Sequence, residues 1–307
     1  MSPSGFRLAG GVLAAGTVAG AALATYAACE ARAYTVRRVT VPVLPPDHAP
    51  LRVLHVSDMH LTPGQTRKRD FVRSLAALDP DLVINTGDNL SHMRAVPFAL
   101  DAFAPLMERP GVFVLGSNDY FDPGMRNPLK YLLPDDGVRH IDRAQLPWGE
   151  LVEGFTDAGW LDLSNRGGRL RVNGEEIAFA GLDDPHITRD ELDSVGAAPL
   201  DADLRLGVVH APYLRALDRF ADQGYDAIIA GHTHGGQVCL PWHGALTTNC
   251  DLEPARAKGL HRHPADSLPG DPGSSWLHVS AGLGTNPYVR FRVACRPETT
   301  LLTLVAR

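Results

Sequence analysis

The sequence predicts an α/β fold, a two-layered sandwich of mixed β-sheets flanked by helices. Three observations point there. Short runs rich in Val, Leu and Ile, bounded by Gly, Asp or Asn, recur from Leu51 to the C-terminus. The early runs alternate with a segment of helical period, whereas the second half is dense in strand-like runs. Several runs stop on Asp, Asn or His, so carboxylate, amide and imidazole groups reach one rim from several strand ends.

Residues 1–33 stand apart from that pattern. Leu8 to Ala28 contains no charged residue, and as a helix this run would span about 30 Å, one hydrocarbon core. The length favours a single-pass membrane anchor. A cleaved signal segment, with small residues at Ala22-Leu23-Ala24, is the alternative and would export the domain. Arg32, Arg37 and Arg38 follow the run, offset by Glu30, so the positive-inside tendency leans toward a cytoplasmic catalytic domain. Residues 34–50 read as a Pro-rich connection, with Pro42, Pro45, Pro46 and Pro50, although Tyr34 to Val43 alternates like a strand. The compact domain is expected over 51–307.

Within it, strands are expected at Leu51–Ser57, around Leu82–Ile84 and Val112–Leu115, then at Ile177–Leu182, Leu204–Val209, Ala227–Ala230, Leu277–Ser280 and Thr300–Val305. Arg67 to Leu78 places Phe71, Leu75 and Leu78 at helical spacing, and Pro97 to Met107 is a second helical segment. Glu253 to Ser275, dense in Pro, Gly, Asp and His, reads as a long surface loop. His261 and His263 fall inside it as solvated side chains.

At 307 residues, 44% of them hydrophobic and 21% charged, the chain can bury a full core and carries no large disordered share. The formal charge of −6 argues against nucleic acid as a partner, and Arg67-Lys68-Arg69 is the one dense basic triplet. Cys29, Cys239, Cys250 and Cys295 form no CxxC pair and read as free buried thiols.

The chemistry sits at the strand ends. Residues two apart in a strand share a side, so Asp58 and His60 can present together, and His232 and His234 repeat that offset. With Asp88, Asn118 and His210 they make a mixed carboxylate, amide and imidazole set. Such a set suits two divalent ions of the Mn, Fe or Zn kind, and not a structural zinc site, which normally uses thiolates. No HExxH element supports a metallopeptidase.

Taken in order, Asp58-x-His60, Gly87-Asp88, Gly116-x-Asn118-Asp119, His210 and Gly231-His232-Thr233-His234 resemble the motifs of the calcineurin-like metallophosphoesterases, from about Leu51 to Gln237. The string from Gly231 to Gln237 is similar to the membrane-associated bacterial branch, which includes enzymes acting on UDP-diacylglucosamine-type phosphodiesters. The resemblance implies one metal on Asp58, His60 and His234, and a second on an Asn, His210 and His232. Asp88 would bridge them, and Asp88, Asn118 and His210 form the catalytic group. It also implies a bridging water, ionised at working pH, that attacks phosphorus. The substrate would be a phosphate ester, with a lipid-linked or nucleotide-diphosphate compound expected if the anchor holds the domain at a membrane.

There is one departure. The family's Gly-Asn-His-Asp reads here as Gly116-Ser117-Asn118-Asp119, so Asn118 stands where a His would protonate the leaving group. An amide has no proton to give near neutral pH. Asn118 is taken as the second-metal ligand, with Ser117 as the alternative. A catalytically weak metal-binding scaffold of the same fold is the competing reading. His186, after Asp183-Asp184-Pro185, can approach the site; His55 and His278 lie in apolar runs and read as core or supporting residues. Arg290 and Arg292 are candidate phosphate donors or structural cations, and Asn89–Pro97, Tyr120–Leu133 and Gly282–Arg292 are expected to wall the site.

Overall fold

The computed structural model describes residues 3–125, 133, 137–139 and 141–307, with the backbone alone over 3–16. In chain order the main elements are α1 (Pro3–Glu30), β1 (Thr35–Leu44), β2 (Leu51–Val56), α2 (Thr66–Ser74), β3 (Leu82–Asn85), α3 (Val96–Phe103), β4 (Gly111–Phe113) and the single turn α4 (Ser117–Tyr120). Then come α5 (Trp148–Asp157), β5 (Leu161–Asp162), β6 (Arg166–Val172), β7 (Glu175–Leu182), β8 (Leu204–Val209), α6 (Leu214–Asp222) and β9 (Ala227–Ala230). A small hairpin, β10 (Cys239–Leu240) and β11 (Gly244–Ala245), precedes β12 (Gly259–His263), β13 (Ser275–Val279) and β14 (Glu298–Ala306).

Two mixed sheets face each other. One runs β1-β14-β2-β3-β4-β5 and the other β12-β13-β9-β8-β7-β6. The alternation of side chains explains why both layers form. Val53 and Ile84 point inward to meet Phe179, Leu206 and Ile229 of the facing sheet. Their neighbours Leu54, Val56 and Val83 point outward under α2, α3 and α5. Ala180, Leu182 and Ile228 likewise meet Leu217 and Phe220 of α6 on the other outer face. Strands covered on both faces read as continuous apolar runs, which is how the sequence signals parallel pairing. In the first sheet β2, β3 and β4 are parallel, and in the second β7, β8, β9 and β13 are. Their carboxyl ends collect on one rim, the usual place for a site in α/β sheets.

The predicted α/β sandwich is the observed fold, with corrections at its edges. The folded body does not start at Leu51. Thr35–Leu44 lies in the first sheet as β1, paired parallel with β14 in register from Thr35↔Glu298, and Val41, Val43 and Leu44 are core residues. Pro42 is tolerated because this is an edge strand, where one row of N–H groups faces away from the ladder. The expected loop between Glu253 and Ser275 contains β12, paired antiparallel with β13. His263 is therefore buried and bonded to Asp218 (2.8 Å), not solvated. All four cysteines are free, but only Cys239 and Cys295 are buried; Cys250 is half-buried and Cys29 exposed. Within the wall expected at Tyr120–Leu133, residues 126–132 lie outside the described residues.

Helix α1 covers the charge-free run and continues to Glu30. Among the residues whose side chains are described, which leave out 3–16 of α1, no helix is long and apolar enough to cross a membrane. The end of α1 is tied to the domain: Arg292 N donates to Ala27 O (3.1 Å) and Ala294 N donates to the Glu30 carboxylate (3.1 Å).

A chain that begins at Leu51 would lose β1, the three buried side chains on it, and the partner of β14. At about 1.5–3 kcal/mol per large apolar side chain, that loss approaches the whole stability of an ordinary domain. Such a chain is expected to aggregate, while one that begins at Thr35 melts cooperatively. Size exclusion and circular dichroism melting decide this, and a monodisperse, cooperatively melting Leu51 chain would contradict the assignment of β1.

Candidate metal centre

Six sequence-predicted residues converge at the rim. Asp58 and His60 follow β2, Asp88 follows β3, His210 follows β8, and His232 and His234 follow β9. Asp58, His60 and His234 offer ligand atoms that lie within 4.8 Å of one another, as do Asp58, Asp88 and His210. His60 Nε2 and His234 Nε2 are 3.1 Å apart, and His232 Nδ1 and His210 Nε2 are 3.3 Å apart. Asp88 Oδ2 sits between the two clusters, 3.4 Å from His60 Nε2 and 3.5 Å from His210 Nε2. Donors bound to one ion at roughly 2.1 Å would stand about 3.0–3.4 Å from each other at octahedral or tetrahedral angles. The spacing fits.

The orientation of the rings supports that fit. A backbone carbonyl only accepts, so a ring nitrogen facing one must carry the proton. His210 Nδ1 donates to Thr86 O (2.7 Å), His232 Nε2 to Asn249 O (3.1 Å) and His234 Nδ1 to Gly284 O (3.1 Å). The nitrogen that each neutral ring turns to the centre is then bare, as in metal sites where a second partner fixes the tautomer. Two bare nitrogens, on His210 and His232, face each other and need positive charge between them. Burial alone would lower the His210 pKa, but Asp88 and Asp184 hold it well above the ordinary histidine value. His232 is pushed down to about 3 by burial and by His210. Burial would raise Asp88 too, yet His210 and His60 keep it well below the usual carboxylate range.

Local backbone makes this convergence possible at a cost. Asp58, His60, Asp88, His232 and His234 all have positive φ, between 45° and 69°, a conformation that costs about 1–3 kcal/mol per non-glycine residue. Compensation comes from Asp119. Its carboxylate accepts four backbone N–H groups, from Asp88 (2.8 Å), Asn89 (2.7 Å), Leu90 (3.1 Å) and Gly116 (3.1 Å), tying the loop after β3 to the loop after β4. Burial and the charge of Asp88 push the Asp119 carboxyl up to about 7, a penalty those amides offset. Glycine supplies the close approach. A Cβ on Gly231 would overlap the Ser57 hydroxyl and the Asp58 carboxylate, and one on Gly116 the Asp88 carboxylate and the His210 ring.

Asn118 touches Asp88 twice, through its backbone N–H (2.8 Å to Oδ1) and its side-chain NH₂ (2.7 Å to Oδ2). The hydroxyl of Ser117, the alternative, meets the Asn118 amide at 3.3 Å. His186 reaches the site, its ring centroid 4.4 Å from that of His232. It also lies with Ser117 and Asn118 on a shared small cavity. Arg292 is fully buried and gives its guanidinium to the carbonyls of Ala281 (2.7 Å) and Gly284 (2.7 Å), a structural strut behind His234. Asp119, Asn249, Gly284 and Ser91, which contacts His60 Nδ1 at 3.1 Å, were not assigned by sequence reasoning. Asp119 was read only as part of the motif it ends and Gly284 only as part of an expected wall, while nothing in the local sequence separates Asn249 and Ser91 from ordinary turn residues.

A directed hydrogen-bond chain runs from the centre into the core. Ser57 Oγ–H donates to Asp58, and Thr86 Oγ1–H donates to Ser57 Oγ (2.7 Å). His55 Nε2 must then donate to Thr86 Oγ1 (2.9 Å), which leaves His55 Nδ1 bare to accept from His278 Nδ1 (3.0 Å). Both imidazoles are neutral: burial pushes His278 down to about 3 and His55 well below its ordinary value.

The sequence model of the family described as calcineurin-like phosphoesterase matches residues 51–236, more than half of the chain. The chain is 26% identical over 260 residues to the uncharacterized metallophosphoesterase YkoQ of Bacillus subtilis (strain 168), covering 83% of this chain and 84% of that one. It is 26% identical over 287 residues to the UDP-2,3-diacylglucosamine pyrophosphatase LpxG of Chlamydia trachomatis, covering 82% and 83%. To the phosphodiesterase YaeI of Escherichia coli (strain K12) it is 23% identical over 283 residues, covering 90% of each.

The neutral core histidine carries a pH signature. The folded-state pKa of His278 lies at about 3, below its ordinary 6.5, so the unfolded chain takes up the proton first. Its contribution is intact above about pH 6.5 and falls by about 1.4 kcal/mol per pH unit below it. Comparing the protein with its His278→Gln variant by urea denaturation, lowering pH from about 7.5 to about 5 should cost the parent about 2 kcal/mol relative to the variant. A pH-independent difference would mean that folding leaves the His278 pKa unshifted, and a difference of opposite sign that His278 is charged in the core.

Proposed function

The chain belongs to the calcineurin-like phosphoesterase family, and from that premise we propose that it is a phosphoric ester hydrolase with two divalent ions bridged by Asp88. The observation that carries the two-ion reading is the place of Asp88 Oδ2, within 3.5 Å of an imidazole nitrogen from each cluster. Asp58, His60 and His234 would hold one ion; His210, His232 and Asn118 the other. When bound, the two ions polarise the phosphoryl oxygens and lower the pKa of water, giving a nucleophile at neutral pH.

The chain's own residues do the rest. Thr86 O, Asn249 O and Gly284 O hold three imidazoles in the tautomers that face the centre. Asn118 orients the bridging carboxylate by its two N–H donors. For Asn118 to bind the second ion, its amide would turn its oxygen inward, giving up the side-chain bond to Asp88 and keeping the backbone one. Asn118 has no proton to give a leaving alkoxide, which favours substrates whose leaving group is already weakly basic, such as a phosphate. Diphosphates and activated diesters fit that requirement. The pyrophosphatase and phosphodiesterase among the relatives support the same substrate class. A lipid-linked or nucleotide-diphosphate substrate is the specific form proposed. Residues 1–33 would act as a single-pass membrane anchor and the domain would face the cytoplasm, on the strength of the charge-free run and the arginines after it.

Two outcomes are expected. Hydrolysis of an aryl phosphodiester should require added manganese, be lost in chelator, and fall by more than about a hundredfold in Asp88→Asn. Even residues behind a metal ligand cost 10–100-fold. Metal binding without turnover of any monoester, diester or diphosphate would point to a scaffold instead. Across aryl esters of graded leaving-group pKa, the rate should drop steeply as that pKa rises. A flat profile would show that a proton is supplied, and His186 is the group positioned to supply it.

A further inference from the structure

Beside the metal centre, outside its ligands, lies a cavity of about 250 Å³. Its walls are the turn between α1 and β1 (Arg32, Tyr34), the first turn of α2 (Arg67, Lys68) and the loop after β13 (Gly284, Arg290). At roughly 30 Å³ per water, it has room for a solvated anion. Four basic side chains line it and no carboxylate does. Arg32, Arg67 and Arg290 are exposed and have no acidic partner among the described residues; Arg290 Nε donates to Pro287 O (2.6 Å). Lys68 is buried, and its ammonium donates to Met59 O (2.6 Å), the carbonyl between Asp58 and His60. The first turn of α2 has no side-chain cap, so the positive end of its dipole adds to the same field.

Like charges gathered in a walled cleft repel one another unless an anion joins them. Guanidinium groups favour phosphate, which they bind through paired N–H donors. The cleft is also joined to the centre. Gly284 forms part of its wall and accepts from His234 Nδ1 (3.1 Å), so both sites share one loop. Its far wall is held in place because Glu30, at the end of α1, accepts from Ala294 N (3.1 Å).

We propose that this cleft is a phosphate subsite, binding a phosphate group other than the one under attack, carried by a soluble substrate or by a lipid headgroup. As a substrate determinant it rests on the phosphoesterase reading; as an anion site it stands on the cleft alone. The test is a phosphorus-31 NMR titration of the full chain with inorganic phosphate, in chelator, so that no metal ion competes. The intact chain should bind phosphate, more weakly as salt rises. The combined Arg67→Ala and Arg290→Ala variant should bind at least about tenfold more weakly. If that pair melts early, Arg67→Gln with Arg290→Gln keeps the side-chain bulk and should show the same loss. No binding by the intact chain, or equal affinity in a variant with an unchanged melting temperature, overturns the proposal.

Flotation on phosphatidylcholine vesicles with and without phosphatidic acid separates the two sources. Retention on phosphatidic acid that falls in the double variant supports a headgroup ligand. Weakened phosphate binding with unchanged retention supports a soluble one. The titration needs no turnover, so inactivity toward every ester would sink the proposed function and leave this result standing.

Discussion

The structure turns on one electrostatic constraint: two carboxylates and four imidazoles present their lone pairs to a common, nearly dry volume. Bare nitrogens 3.3 Å apart on His210 and His232, with Asp88 Oδ2 3.5 Å from His210, cannot be stable without positive charge among them. Asp88 and Asp184 hold the buried His210 imidazole basic, while burial and His210 push His232 down. Divalent ions would supply more charge at the same place, and bonds to both clusters.

Everything nearby offsets the cost of that arrangement. Five of the donors sit in left-handed backbone, because a strand that continued as a strand would carry alternate side chains away from the rim. The turns that bring them back depend on Asp119, whose four amide bonds join the loops after β3 and β4 into one unit. The Ser57–Thr86–His55–His278 chain extends the same logic inward. Each donor is fixed by the acceptor demand of its neighbour, so the orientation of Asp58 is backed by a polar thread through an otherwise apolar layer.

Much of this was legible in the sequence. Runs buried on both faces are long and apolar, so Leu204–Val209 and Ala227–Ala230 were placed to the residue, and the polar residues ending such runs pointed to the site. Edge strands were harder. β1 carries Arg37, Arg38 and Pro42, and β12 carries three polar or charged residues in five, because one side of each strand lacks a partner. Their membership follows from pairing with β14 and β13, distant in sequence from β1 in particular, and no local pattern records that. The α6 helix was missed although its buried pairs, Ala216-Leu217 and Phe220-Ala221, stand one helical turn apart. In the site, ligands were readable because they carry the chemistry. Supporting groups such as Asn249 O and Gly284 O act through the backbone, where residue type is nearly silent.

The departure at Asn118 is best understood as an exchange of roles at one position. A histidine there could hold a proton for the leaving group, but when charged it would add a third cation beside two metal ions. Asn118 is neutral at every working pH, and it places two N–H donors on the two oxygens of Asp88. In the proposed reading the residue would give up proton delivery and still hold the Asp88 carboxylate through its backbone N–H, without adding a charge that opposes the ions. Such an exchange costs little only when the departing group needs no proton. If the proposed two-ion centre forms here, the composition of its shell and the nature of its substrate would not be independent: it would suit phosphate-like leaving groups better than simple alkyl esters.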